Sequence, residues 1–301
     1  MSDFDNSSKY FGRKIIKTNL SMIGDEKTDL ETVKTILKSA LETHNKNVED
    51  ENELFNIYLN NPDWWNKVKE QRGDINNKIS VPTAWALTRT LNSYCFGEPI
   101  KYLYKDIDDE EELSQEQKSK QKQVEILSAM LDTQHNHDST TMATLCASIC
   151  GLGYKLAFPA NEQEMEDNGI PFIINETIIY PQLAGMVYSD TPIPQEVMGF
   201  MIGKYYDPTT NEEKGNKYTC WTKYHQFVLR DSESGEGYDI VKQLVGTAEY
   251  DAYPLPYGRI PLIEVERNAF RKGDWEVSKD LIQLRNELIS TRQDDIQQIV
   301  D

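Results

Sequence analysis

The residues best suited to chemistry lie in one short stretch. His135, His137 and Asp138 precede Cys146 and Cys150, and a helix would put both thiols on one face. Imidazole and thiolate are zinc ligands, so a four-ligand site from His135, His137, Cys146 and Cys150 can be drawn, as in a metal-dependent nuclease. Zinc sites more often use CxxC or HxxxH spacings. The competing reading is simpler. Met142, Leu145, Cys146, Ile149 and Cys150 fall at i, i+3, i+4, i+7 and i+8, which makes the cysteines part of a core stripe behind a solvated histidine loop. That reading is preferred, and no metal is expected.

Carboxylate chemistry fares no better. Asp108-Asp109 and Asp294-Asp295 could hold a hard cation, but among fifty acidic residues such pairs arise by chance. Glu98, between Gly97 and Pro99, suits a capping or intersubunit role more than that of a general acid. Trp64-Trp65 and Trp221 read as core. The chain has no GxxxxGK[ST] phosphate cradle, no GxGxxG after a strand, no GxSxG elbow and no HExxH. It does not read as an enzyme, and no cofactor is expected.

The elements that would position these groups are α+β. Residues 1–27 are polar and read as a loose arm. Thr28 to Glu31 has a capping-box form, and Leu30, Val33, Ile36, Leu37 and Leu41 follow with helical spacing before a polar gap. In INNKISVPTAWALTRTLNSYCFGEPIKY, Ser80 is the expected N-cap and Pro82 lies in the first turn. Ala84, Leu87, Leu91 and Tyr94 or Cys95 form the apolar face, Gly97 is the C′ residue and Pro99 the stop. IKYLYK reads as a strand, and residues 106–123 as a charged loop or solvated helix start. The cysteine helix ends at Gly151 and Gly153, before the strand YKLAF. From about 170 to 250 the chain turns β-rich, with PFIINETIIY, MVYS, VMGFMIGKYY and KYTCWTKYHQFVLR as strands and DPTTNEEKGN as a hairpin turn. IPLIEV reads as an edge strand. Asp274 is the expected N-cap of a final helix with Leu281, Leu284 and Leu288 on one face and Ile282, Ile289 and Ile296 on the next. From 275 to 301 it would span ~40 Å. Its stripe continues at Ile299 and Val300, which predicts that the helix runs on.

Composition bounds the rest. A net charge of −18 argues against gripping DNA over a broad surface, because tight phosphate binding rests on Lys and Arg displacing counterions. It leaves room for a conduit through which DNA slides. Four scattered cysteines suggest reduced thiols, and neither a membrane span nor a secretory h-region is legible.

Four segments, in order, resemble the tailed-phage portal proteins of the siphophage type. INNKI, a helix and CFGEPIKY are similar to the family's N-terminal signature, carrying Asn76, Asn77, Gly97, Glu98 and Pro99. MATLCASICGLGYKLAF is similar to its helix and glycine turn, with Gly151 and Gly153. GIPFIINETIIYPQLAGMVYSD is similar to its strand pair. YGRIPLIEVERNAFRKGDWEVSKDLIQLRNEL carries Gly258, Arg259, Pro261, Asp274 and Trp275. The likeness covers roughly residues 50–301. Tyr180-Pro181-Gln182 stands where the family has Asp-Pro-Arg, and Arg267-Asn268 where it has an Asn doublet.

The resemblance implies a wing domain over 28–270, helical to 150 and β-rich from 151 to 270, then a stem helix over 271–301. The clip, second stem helix and crown would follow residue 301. It implies a twelve-membered ring at one capsid vertex of the virion, assembled in the host cytoplasm. The implied partners are major capsid protein, scaffold, the terminase large subunit, a head–tail adaptor and double-stranded DNA passing through, with no membrane. The listed signature residues, with Leu281, Leu284 and Leu288, would serve shape and intersubunit contact. A metal-dependent phage enzyme and a virion adaptor without a channel are the alternatives.

Overall fold

A computed structural model describes residues 12–19, 30–66, 77–98, 114–133, 136–159, 174–207, 209–232, 234–235, 237–245, 248–256 and 258–300. Asn76, Pro99, the IKYLYK strand, most of the acidic run and His135 lie outside these residues.

Helix α1 (Leu30–Tyr58) runs straight through the expected polar gap. Its buried row, Val33, Ile36, Leu37, Ala40, His44, Asn47, Glu51, Leu54, Ile57 and Tyr58, never leaves one face. The gap was a gap in hydrophobicity and not in helix, because the buried His44 and Asn47 have partners. A His44 ring nitrogen meets Gln182 O at 3.1 Å. Asn47 takes the Lys14 N–H at 2.8 Å and donates to Lys14 O at 2.9 Å.

The N-terminal half of α1 covers a seven-stranded sheet. Its order is β1 (Ile16–Thr18), β4 (Ala184–Ser189), β5 (Glu196–Tyr206), β6 (Glu213–Trp221), β7 (His225–Asp231) and β11 (Tyr253–Pro254), with β8 (Tyr238–Ile240) also on β7. All its pairings are antiparallel except β1 on β4. Met198, Phe200, Cys220, Phe227 and Leu229 meet Val33, Ile36 and Leu37 in the core between helix and sheet. The expected strand KYTCWTKYHQFVLR is two strands. Thr222 closes the turn by accepting the His225 N–H on Oγ1 at 3.1 Å, so no glycine or proline marks it. The β5–β6 hairpin turns at 207–212 as expected, with Asp207 accepting the Thr209 and Thr210 N–H groups.

A second sheet has the order β12 (Leu262–Glu266), β2 (Leu152–Pro159) and β3 (Ile174–Ile179), so IPLIEV does form an edge strand. A third core lies between the sheets, with Tyr154, Leu156, Met186, Trp221 and Leu262. A two-stranded ribbon pairs β9 (Gln243–Val245) with β10 (Ala248–Tyr250).

The remaining core joins the C-terminal half of α1 to α2 (Thr83–Phe96), α4 (Asn136–Cys150), Trp275 and Ile282. Helix α3 (Gln115–Thr133) is capped reciprocally by Ser114 and Gln117. Three sequence expectations fail in this region. Ser80 is not a cap: Pro82 holds the cap position without a side-chain bond, and Ser80 Oγ instead donates to Asn60 Oδ1 at 2.5 Å. Gly97 is right-handed at φ −70°, not a left-handed C′ residue. The buried face of α2 is Ala84, Thr88 and Asn92, while Leu87, Leu91, Tyr94 and Cys95 are exposed. Thr88 and Asn92 turn inward because Trp275 and Thr144 supply hydrogen bonds there.

Candidate functional site: the seat of the C-terminal helix

The long helix starts later than Asp274. One 3₁₀ turn at Glu276–Ser278 leads into α5 (Lys279–Val300), and Asp274 caps neither. It is instead a fastener. Its N–H donates to Ser148 O at 2.9 Å, one of the carbonyls that the C-terminus of α4 leaves unpaired. Its carboxylate takes the Ser148 hydroxyl and the Arg267 Nε, the latter at 2.7 Å. Trp275 is then fully buried, and its indole N–H donates to Thr88 Oγ1 at 2.9 Å.

Past this fastener, α5 turns a polar stripe inward. Ile282, Asn286, Ser290 and Asp294 are buried at four-residue spacing. The extended segment 77–81 lies along them. The N–H groups of Asn77, Ile79 and Val81 donate to Asp294 Oδ1, Ser290 Oγ and Asn286 Oδ1 at 2.8, 2.9 and 3.1 Å. Two residues of extended chain advance ~6.6 Å and four helical residues ~6.0 Å, so the periods match over this length. The Asn77 side chain adds bonds to Asp294 Oδ1 at 2.9 Å and Gln297 Oε1 at 3.0 Å. Asp294 is therefore committed inside while Asp295 is exposed, and the pair forms no cation site.

Beneath the fastener lies a buried charge cluster. Arg271, left-handed at φ +54°, reaches Glu264 at 2.8 Å and Glu266 at 3.3 Å. The Tyr154 and Tyr188 hydroxyls donate to the two Glu264 oxygens at 2.6 and 2.9 Å. Burial, with the Glu264 charge adding to it, pushes both phenols well above the ordinary tyrosine value. Arg13 pairs with Glu276 at 2.5 Å. Glu51 projects from α1 into the same region, and burial raises its carboxyl to about 7 although Arg13 and Arg271 pull it down. The two arginines pair with Glu264, Glu266 and Glu276, whereas burial keeps Glu51 protonated to about pH 7.

The other signature residues are scattered. Gly151 has φ +89°, and a Cβ there would sit 2.2 Å from Arg271 O. Gly153 passes so close to Ala143 O that a Cβ would lie 2.0 Å away. Glu98, Gly258 and Arg259 are exposed, and Pro261 O accepts the Ala157 N–H at 3.0 Å. Leu281, Leu284 and Leu288 all face outward. Cys146 and Cys150 are both buried, Cys150 among Leu145, Ile149 and Trp275. Desolvation pushes the Cys146 thiol up to about 12 and Cys150 well above its usual value, so neither is a ready thiolate. Among the described residues no three His, Cys, Asp or Glu side chains converge as metal ligands, and no helix is long and apolar enough to cross a membrane.

The arrangement is a mechanical seat. Residues 37–301 match the family described as phage portal protein, SPP1 Gp6-like. The chain belongs to this family. It is thus a phage portal protein, a structural component of the virion, with the α+β fold expected. The matched span includes Glu51, the 77–81 segment, the Asp274 fastener and all of α5. No curated protein matches the chain.

Sequence reasoning missed Glu51, Thr88, Asn286 and Ser290, placed Arg13 in a loose arm, and considered Asp294 only as half of a possible cation pair. One signal was present: Asn286, Ser290 and Asp294 continue the Ile282 stripe at i+4, i+8 and i+12.

Proposed function

We propose that this protein assembles as a ring of twelve copies at one capsid vertex and forms the conduit for DNA during packaging and ejection. One observation carries the reading: α5 is held on its polar side and leaves its apolar side uncovered. Leu281, Leu284 and Leu288 are 66%, 49% and 62% exposed, and Ile296, Ile299 and Val300 extend the surface. A helix whose inner face is satisfied by hydrogen bonds has its hydrophobic surface free for a neighbour, and a ring repeats that contact around one axis. The net charge of −18 suits a channel that must not retain its cargo.

In this reading residues 28–270 are the wing, the stem begins at 271, and the Asp274 fastener sets the angle between them. Glu98, Arg259 and the signature glycines shape the wing or meet neighbouring copies. Capsid protein and scaffold meet the ring during assembly in the host, and the terminase large subunit and then a head–tail adaptor dock on it. The protein needs no nucleotide site, since the packaging motor supplies the work.

Native mass spectrometry and negative-stain images of the full-length protein test the proposal. A ring with a central channel is expected. A protein that stays monomeric at high concentration, alone and with scaffold, overturns it.

A further inference from the structure

Residues 12–18 stand ahead of the span that matches the family, in a segment expected to be loose, yet they connect three parts of the subunit. At one end β1 adds in parallel to β4, pairing Ile16, Lys17 and Thr18 with Val187, Tyr188 and Ser189, and Ile16 is buried against α1. In the middle Lys14 is clamped by Asn47 through two hydrogen bonds. At the other end the Gly12 and Arg13 N–H groups donate to Phe270 O and Arg271 O at 2.7 and 3.1 Å, and the Arg13 side chain reaches Glu276. The last contacts fall on the loop that delivers the chain into α5.

The two ends differ in how well they are satisfied. The β1 end has a ladder and a buried isoleucine. The Arg13 end buries a guanidinium, 2% exposed, whose Nε and Nη1 have no hydrogen-bond partner among the described residues, near a Glu51 whose Oε2 has none among them either. Each buried polar group left unpaired carries a desolvation cost, which offsets part of what the Glu276 pair and two backbone bonds return. Release of Arg13 into water therefore costs less than release of β1, which gives up its ladder and core contact.

We propose that residues 12–18 form a releasable clasp. β1 is its fixed hinge on the wing, and Gly12–Arg13 is a catch that holds the 267–278 loop and so the direction of α5. Opening the catch frees the loop and the start of α5 while the sheets and α1 stay folded. The inference concerns the single subunit and is independent of whether twelve copies form a ring.

Hydrogen–deuterium exchange on the full-length protein tests it with two variants. Arg13→Ala removes the charged catch. Gly12→Ala leaves that charge but puts a Cβ 2.1 Å from Arg271 O, forcing the two segments apart. Both should speed exchange in peptides spanning 266–278 by about tenfold or more, with β5 and β6 unchanged. Unchanged exchange over 266–278 in both variants overturns the clasp. Equal acceleration in β5 and β6 also overturns it, since Gly12 and Arg13 would then belong to the wing's cooperative core.

Discussion

Asn77 and Asp294 are joined twice through one atom: the backbone and side-chain N–H groups of Asn77 both donate to Asp294 Oδ1, at 2.8 and 2.9 Å. This contact ties a segment ahead of α2 to the last turns of α5 across more than two hundred residues. Asp294→Ala leaves both partly buried donors without that acceptor and is expected to cost about 2–4 kcal/mol in urea unfolding. Asn77→Ala keeps the backbone bond and should cost about 1 kcal/mol. Equal losses from the two would show that the backbone bond contributes nothing.

The outer face of α5 is expected to behave differently. Leu284→Asp with Leu288→Asp alters side chains that are 49% and 62% exposed, so subunit stability should change by less than about 1 kcal/mol. Ring formation, read by native mass spectrometry, should be lost. Loss of the folded circular dichroism signal would mean instead that this face belongs to the subunit's own core.

Glu51 predicts a pH dependence. Its carboxyl holds a proton to about pH 7 in the folded chain, mainly through burial, against an ordinary value of 4.5. The folded state thus keeps a proton that the unfolded chain releases first. The stabilising contribution is complete below pH 4.5 and is lost as pH rises through 7. Between pH 5 and 8 the protein should lose roughly 2–3 kcal/mol more than Glu51→Gln does, measured by denaturant titration at each pH. Parallel pH profiles would remove Glu51 from the account.

Two left-handed glycines separate backbone strain from collision. Gly151 and Gly258 have φ of +89° and +61°, but only at Gly151 would a Cβ strike a neighbour, Arg271 O at 2.2 Å. Gly258→Ala should cost about 1 kcal/mol. Gly151→Ala should cost more than about 3 kcal/mol and loosen the Arg271 loop, which thermal unfolding will show.

The sequence by itself determined much of this protein. The stripe from Met142 to Cys150 predicts α4, which is buried on every side from 143 to 150, Gly151 predicts the turn into β2, and the alternating runs predict most strands and the hairpin between β5 and β6. These follow from local chemistry: a hydrophobic period, a residue that tolerates positive φ, a turn-forming cluster. The ordered motifs also pointed to the portal family. The stripe from Leu30 to Leu41 also predicts the inward side of α1, but only the tertiary structure decided which sides of α2 and α5 face inward. Hydrophobicity pointed to Leu87 and Leu91 of α2, yet the buried residues include Thr88 and Asn92; in α5 it gave Leu281, Leu284 and Leu288 to contact between copies but did not reveal the inward stripe of Asn286, Ser290 and Asp294. A polar side chain can be buried once a partner satisfies it, and those partners, Trp275 for Thr88 and Asn77 for Asp294, lie about two hundred residues away along the chain. No local pattern carries that information, because it exists only when the segments meet.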